Sequence, residues 1–301
     1  MRKKTKNPMK ATETENINKN SANFDRLPLT KMAEIMCVEN TVAVKAVEKA
    51  KREIVKAAKL VIETYLNSGK IIFIGAGTSG RLGVLEAAEC PPTFSTHPNI
   101  FTGLIAGGNK AVFKSVEGAE DNTEQGAKDF LKIANKKDLL IGIASSGTTP
   151  YVLGALQTAK KQGNKTVFIS SNKIAKSAGA DITIYLNTGA EVISGSTRLK
   201  AGTAQKLVLN MLTTMAMARI GKVYKNYMVD LQAKNEKLKT RATRLIALAA
   251  NISAEEAKKY AQKTNYCVKE AVIMAKLKIG KKQAKELLKK HKGFLRSALN
   301  E

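Results

Sequence analysis

The sequence predicts an α/β protein: a largely parallel sheet with helices on both faces, followed by a small module made of helices alone. Three observations carry this. Short apolar runs alternate with helical patterns between residues 41 and 230. Two of these runs, in "IIFIGAGTSGRLG" and "LLIGIASSGTTP", end in turns rich in glycine and hydroxyls that lead into helices. Beyond Leu231 only helical periodicity remains. Strands alternating with helices imply parallel pairing in a sheet covered on both sides.

Taken in order, residues 1–40 form a polar N-terminal segment, expected to be mobile over its first 25 residues. From Thr41 to Leu66 apolar side chains recur at three- and four-residue steps, which predicts one amphipathic helix closed by "NSGK". Ile71–Ile74 is the first strand. The helix after Gly80 is expected to stop at Cys90-Pro91-Pro92, because proline cannot continue it. "FTGLIAGG" supplies a second strand ending in paired glycines. "AVFKSVEGAEDNTEQGAKDFLKIA" has a helical pattern that would put Glu117 and Glu120 on one face.

Leu139–Ala144 is the next strand, "SSGTTP" its loop, and Tyr151–Lys161 the helix that follows. "KTVFIS" and "ITIYL" add two strands, and "GTAQKLVLNMLTTMAMARIG" is a long apolar helix. These elements make one domain over residues 41–230. Residues 231–301 are assigned to a C-terminal helical region, with a three-helix, UBA-like module from about residue 250. There Ser253 and Glu256 form a capping-box pattern at a helix start, and "VKEAVIMAKL" and "KKQAKELLKKH" continue it.

Composition limits the chemistry. No run of 18 apolar residues exists, so no membrane span is expected. The basic N-terminus is not followed by an apolar stretch, so no secretory signal is expected. Cys37, Cys90 and Cys267 are odd in number and far apart, which suits free thiols in a reducing cytoplasm. With only His97 and His291, a histidine-based metal site or triad is poorly supplied. No metal and no cofactor are expected. Chemistry must rest on carboxylates, hydroxyls, amines and backbone amides.

The net charge of +26 raises the question of a polyanionic partner. Residues 231–301 hold 18 Lys and Arg against 6 acidic groups, but the lysines are spread through helical patterns. Tyr260, Tyr266 and Phe294 are too few for a base-stacking platform. Solvated helix faces explain the charge, and no specific nucleic-acid partner is expected.

Gly75-Ala76-Gly77-Thr78-Ser79-Gly80 satisfies G-x-G-x-x-G after a strand. The dinucleotide fingerprint also needs an acidic residue about 20 positions on, at the end of the second strand, to hold a ribose hydroxyl. Near that place stands "FSTHPNI", without Asp or Glu. A P-loop is excluded too, since no Gly-Lys-Ser/Thr follows. Ser145-Ser146-Gly147-Thr148-Thr149 repeats the same plan of strand, hydroxyl-rich turn and helix. Two such units can aim helix N-terminal amides and several hydroxyls at one dianion. The pair suggests a phosphosugar more than a nucleotide.

Long strings sharpen this: "GAGTSGRLGVLEAAECPPTF", "GLIAGG", "VEGAED", "GAEVISGSTRLKAGTAQKLVLNML" and "GKVYKNYMVDLQAKNEKL". In these the chain resembles sugar-isomerase-type (SIS) domains and, within them, the N-acetylmuramic acid 6-phosphate etherase family, in order from about residue 20 to the C-terminus. The "GAEVISGSTRLKAGTAQK" block is also shared with glucokinase regulatory protein, a sugar-phosphate sensor. The chain departs from the family at Thr148, where the second loop would carry Arg.

The resemblance implies a SIS-type fold, a homodimer, and cleavage of the lactyl ether of N-acetylmuramic acid 6-phosphate to N-acetylglucosamine 6-phosphate and D-lactate, in cell-wall sugar recycling. It implies Glu89 and Glu120 as the functional carboxylates; by the resemblance Glu89 is the proton donor to the leaving lactate, which leaves Glu120 as the base, while the residues themselves leave open which of the two is acid and which is base. The phosphate and substrate contacts expected are Gly77, Thr78, Ser79 and Gly80, then Ser145, Ser146, Gly147, Thr148 and Thr149. Ser196, Thr197, Arg198 and Lys200 of "GSTRLK" join them, the two cations as holders of the lactyl carboxylate. Glu89 lies ten residues past Ser79, about 15 Å along an ideal helix. Either the chain bends back at Cys90-Pro91-Pro92, or Glu89 serves the partner subunit's site. Two other functions could use the same loops. One is an aldose–ketose phosphosugar isomerase; the other is a non-catalytic sugar-phosphate sensor, which in the regulatory protein's form resembles two such domains in tandem.

Overall fold

The computed structural model describes residues 12–173 and 179–300. Two helices, α1 (Leu29–Lys49) and α2 (Lys51–Leu66), precede the sheet. Then come β1 (Ile71–Gly75), α3 (Gly77–Phe94), β2 (Phe101–Ile105), the short α4 (Asn109–Phe113), α5 (Thr123–Ile133), β3 (Leu139–Ile143) and α6 (Pro150–Lys161). β4 (Lys165–Ser170), β5 (Ile182–Tyr185) and α7 (Lys200–Arg219) complete the α/β part. A small hairpin, β6 (Val223–Tyr224) and β7 (Tyr227–Met228), leads to α8 (Glu236–Ala250), α9 (Ala254–Lys263), α10 (Val268–Leu277), α11 (Lys281–Lys290) and α12 (Leu295–Ala298).

The five main strands are parallel and ordered β2-β1-β3-β4-β5. Ile71 stands opposite both Phe101 and Leu139, and Gly75 opposite both Ile105 and Ile143, so β1, β2 and β3 end level. Alternation along β1 sends side chains to opposite faces. Ile71 and Phe73 pack with Ile54, Ala87, Val208 and Leu212 from α2, α3 and α7. Ile72 and Ile74 pack with Phe130, Val152 and Leu156 from α5 and α6. The expected α/β architecture with helices on both faces is the observed one.

Several local expectations change. The single helix expected over 41–66 is two helices that meet at Ala50 (φ −85°, ψ 4°), and the first begins at Leu29. Its buried face is Glu39, Ala43, Ala46 and Val47, small residues plus a charge, so the periodicity of large apolar side chains is faint there. The polar segment is not loose over residues 12–28. It forms three 3₁₀ turns, Glu13–Glu15, Lys19–Ser21 and Phe24–Arg26, fixed by hydrogen bonds to distant elements. Its first eleven residues lie outside the described ones.

α3 does not stop at Cys90. It continues through Pro91 and Pro92 to Phe94, with Cys90 and Phe94 buried in the core. Ser95, in the left-handed conformation, ends it and donates its N–H to the Pro91 carbonyl at 3.0 Å. The helix expected around "VEGAED" is broken. Gly118 takes φ +71°, which the interior of a right-handed helix excludes, and Ala119–Asp121 is a lone 3₁₀ turn. Glu117 and Glu120 therefore share no helix face.

Among the described residues the C-terminal region has five helices where sequence patterns predicted three. α8 joins through Ala242, Ile246, Ala249 and Ala250, mostly small side chains whose pattern is weak, in the cluster that holds Val272 and Ile273. Ser253 makes the expected capping box with Glu256. Lys258, Lys259, Lys281, Lys282, Lys289 and Lys290 are exposed, as solvated helix faces require. Lys269 is the buried exception, bonded to Asp230 at 2.7 Å and to the Gly293 carbonyl at 2.9 Å. Among the described residues no helix is long and apolar enough to cross a membrane.

Candidate functional site

β1 and β3 are neighbours, yet α3 covers one face of the sheet and α6 the other. Where successive connections leave adjacent strands toward opposite faces, a crevice opens at the strands' carboxyl ends. Both hydroxyl-rich loops lie at that point. A cavity of about 330 Å³ is lined by Gly77, Thr78 and Ser79 from the first loop and Ser145, Ser146, Thr148 and Thr149 from the second. Thr197 and Glu120 line it as well. A second lobe of about 220 Å³ shares Ala76, Gly77 and Glu120 with the first, and adds Arg81, Ser115 and Glu117. The structure thus brings together most of the predicted phosphate contacts and one of the two predicted carboxylates.

The first loop is the first turn of α3. Gly77 takes φ +52°, and the ladder begins with the Gly80 N–H to the Ala76 carbonyl at 3.2 Å. The amides of residues 77–79 precede that bond, as at any helix N-terminus. Gly80 is buried and structural: a Cβ there would lie 2.7 Å from the Gly75 carbonyl oxygen. In the second loop Gly147 turns the chain at φ +80° and donates its N–H to the Ala144 carbonyl at 3.0 Å. The Thr148 N–H and Oγ1 both donate to Ser146 Oγ, at 3.2 and 3.3 Å. Thr148, where the family would have Arg, is exposed on the rim.

Gln205 of α7, fully buried, connects the two loops. Its Oε1 accepts from Ser79 Oγ at 2.9 Å, and its Nε2 donates to Ser145 Oγ at 2.9 Å. The Ser145 carbonyl accepts from Asn172 Nδ2 at 2.8 Å, and the same Nδ2 reaches Thr14 Oγ1 at 2.9 Å. Asn172 Oδ1 accepts the Thr14 N–H at 3.0 Å. Thr14 and Glu15 line the larger lobe, so the N-terminal turns form part of its wall.

Other predicted residues lie elsewhere. Glu89 is exposed on α3 and lines neither lobe; its partner is Lys206 Nζ at 3.4 Å. Lys206 also binds Glu86 at 2.8 Å and Asn210 Oδ1 at 2.6 Å. Burial opposes the charge on Lys206, but Glu86 and Glu89 outweigh it and hold its pKa above the usual lysine value. α3 continues as helix through the two prolines, and Glu89 is not returned to the crevice of its own chain.

Ser196 and Arg198 also lie off the cavity walls. Lys200 is not free for a ligand: it is buried and ion-paired with Glu39 of α1. That pairing is long-range in sequence and left no local sign. Burial alone would raise the Glu39 pKa, but hydrogen bonds from Lys200, Asn20 and Asn18 lower it. Glu191, also buried, accepts the Lys200 and Ala201 N–H groups at 3.0 and 2.9 Å and so caps α7. Burial raises its pKa against those two bonds.

Sequence reasoning missed Thr14, Glu15, Arg81, Asp121, Asn172 and Gln205. Arg81 and Gln205 stood inside the strings "GTSGRLG" and "GTAQK", but nothing in their spacing marked them. Thr14 and Glu15 stood in a segment that looked merely polar. Among the described residues no group of three or more His, Cys, Asp or Glu is arranged to hold a metal ion.

The N-terminal SIS domain of glucokinase regulatory protein matches residues 53–160, and the SIS domain matches residues 116–215. A relative from Bacillus cytotoxicus, N-acetylmuramic acid 6-phosphate etherase, is 50% identical over 95% of this chain and 98% of its own. The Geobacillus thermodenitrificans protein of the same name is 48% identical over the same shares. A solved structure from Bacteroides fragilis, described as a candidate phosphosugar isomerase involved in capsule formation, superposes with a TM-score of 0.50 at 20% identity. It covers 68% of this chain and 97% of its own, a likeness of fold.

Proposed function

Because the chain belongs to the N-acetylmuramic acid 6-phosphate etherase family, we propose that it cleaves the D-lactyl ether of N-acetylmuramic acid 6-phosphate, giving N-acetylglucosamine 6-phosphate and D-lactate. The observation that carries the reading is the near full-length identity to relatives of that name. The crevice supports it chemically: two hydroxyl-lined loops and a helix N-terminus suited to a phosphate, with a carboxylate on the same wall.

An ether resists direct hydrolysis. In the open-chain aldehyde the C2 hydrogen is acidic. Glu120 takes that proton, lactate leaves from C3 with a proton from an acid, and water adds back to the unsaturated aldehyde. Such a path asks for one base, one acid and an anchored phosphate. Glu120 is the carboxylate of the pair that lines the crevice. Glu89 lies off the crevice of its own chain, which favours a homodimer in which it acts as acid in the partner subunit's site. Thr78, Ser146 and the amides of Gly77 and Ser79 hold the phosphate, and Thr197, which lines the same lobe, contacts the substrate. The setting is cytoplasmic recycling of cell-wall amino sugars.

The test is the fate of oxygen. In water labelled with heavy oxygen, elimination and re-addition put the label at C3 of N-acetylglucosamine 6-phosphate and leave lactate unlabelled; in heavy water deuterium enters C2. Label in lactate would point to attack at the lactyl carbon and remove the elimination path. An isomerase would exchange the C2 hydrogen without releasing lactate, and a sensor would do neither.

A further inference from the structure

We propose that Gln205 is a positioning residue that fixes the two loops of the crevice relative to each other and sets the direction of their hydroxyl protons. The inference deepens the reading above and rests on it for the identity of the ligand.

A primary amide has one end that only accepts and one that only donates. Ser79 Oγ meets the accepting end, so its proton is committed to Gln205 Oε1. Ser145 Oγ meets the donating end, so it accepts from Nε2 and keeps its own proton to give. Both serines line the same lobe, just beyond the carboxyl ends of β1 and β3, which are neighbours in the sheet. Gln205 is fully buried, and its helix is anchored by the Glu191 carboxylate on the Lys200 and Ala201 amides. Buried amides hold such a pattern because an unmatched donor or acceptor has no water to turn to. Two nearly equivalent hydroxyls thus become unlike. Ser145 offers the phosphate an O–H, whereas Ser79 offers its backbone amide. A dianion accepts only, so the arrangement matches phosphate and disfavours a ligand that must donate at that place.

The experiment combines lactate release with binding of N-acetylglucosamine 6-phosphate to the full chain, for Ser145→Ala, Ser79→Ala, Gln205→Leu and the double variant Gln205→Leu/Ser145→Ala. Ser145→Ala should weaken binding about tenfold or more, the effect of losing a bond to a charged group. Ser79→Ala should weaken it several-fold less. Gln205→Leu should raise KM more than it lowers kcat, while the melting temperature stays within a few degrees. In the Gln205→Leu background, Ser145→Ala should cost no more than about threefold, because the hydroxyl it removes is no longer aimed.

Equal losses for Ser79→Ala and Ser145→Ala would overturn the proton assignment, as would strict additivity in the double variant. Should Gln205→Leu fail to fold, the comparison of the two serine variants still decides. If the wild type releases lactate but the coupling is missing, the clamp alone falls. If no lactate appears but the coupling is present in binding, the reaction falls and the clamp stands.

Discussion

Lys206 of α7 holds Glu89 of α3 at 3.4 Å, and Glu89 lines neither lobe of the crevice that Glu120 lines. The shorter contact of Lys206, 2.8 Å, goes to the buried Glu86. The two carboxylates of the proposed mechanism are therefore separated within one chain.

Each of Glu120→Gln and Glu89→Gln should lower lactate release about a hundredfold or more, the size expected for losing general acid–base catalysis. A mixture of the two inactive variants should then regain activity. In a two-fold dimer with shared sites, each mixed pair contains one site with both carboxylates intact. Random exchange of subunits should restore about a quarter of wild-type turnover, since half the dimers are mixed and half their sites are whole. A mixture as inactive as its components, under conditions where subunits exchange, would place both carboxylates in one subunit's site or remove one from the chemistry.

Asn172→Ala should weaken substrate binding although Asn172 lines neither lobe of the crevice. The side chain bonds the Thr14 N–H, Thr14 Oγ1 and the Ser145 carbonyl, and so ties the N-terminal wall to the second loop. Each buried partner left unmatched costs about 1–3 kcal/mol. A rise in KM with a lowered melting temperature is expected; calorimetry and steady-state kinetics read both. Normal KM would separate the N-terminal turns from the site.

The buried pair Glu39–Lys200 gives a stability prediction. Lys200→Met or Glu39→Gln alone should destabilise by about 3–5 kcal/mol, because an unpaired charge or polar group stays buried, and the double change Glu39→Leu/Lys200→Met should recover most of that. The Glu39 pKa is lowered in the fold, so its contribution is present above the ordinary glutamate value and lost as pH falls through the lower folded one. Chemical denaturation from neutral pH into the acid range should show a shallower loss for the double variant than for the wild type. Parallel curves would remove Glu39 from the acid transition.

The three thiols should react in an order set by exposure. Burial, aided by Glu86 and Glu89, pushes the Cys90 thiol up to about 12, and burial also raises Cys267. Cys37 is exposed on α1. The thiolate is the reactive form, so limited alkylation at mildly alkaline pH, followed by peptide mapping, should label Cys37 first and Cys90 last. Early labelling of Cys90 would mean that α3 opens readily at its C-terminal end.

Much of the fold was legible because its signals are local. Five apolar runs became five strands, and two turns of glycine and hydroxyls became the two sides of one crevice. Where reading failed, the deciding forces were long-range or the pattern was muted. Small side chains on α1 and α8 gave no clear stripe. The helix expected across Gly118 is absent there: α4 ends at Phe113, and Gly118, at φ +71°, leads into a lone 3₁₀ turn. Pro91 and Pro92 looked like a stop, but packing of Cys90 and Phe94 carries the helix on.

The sequence by itself determined the fold class, the family and the residue types available for chemistry, since hydrophobic period, turn glycines and long shared strings are written along the chain. Only the tertiary structure decided which of those residues meet. Lys200 turned inward to Glu39, Thr14 and Glu15 came in from the N-terminal segment, Glu89 stayed outside, and Gln205 joined two serines that precede it by 126 and 60 residues. The physical reason is that a buried polar group must find a partner wherever the fold offers one. That partner is set by the order in which strands lie side by side, which no spacing along the chain records.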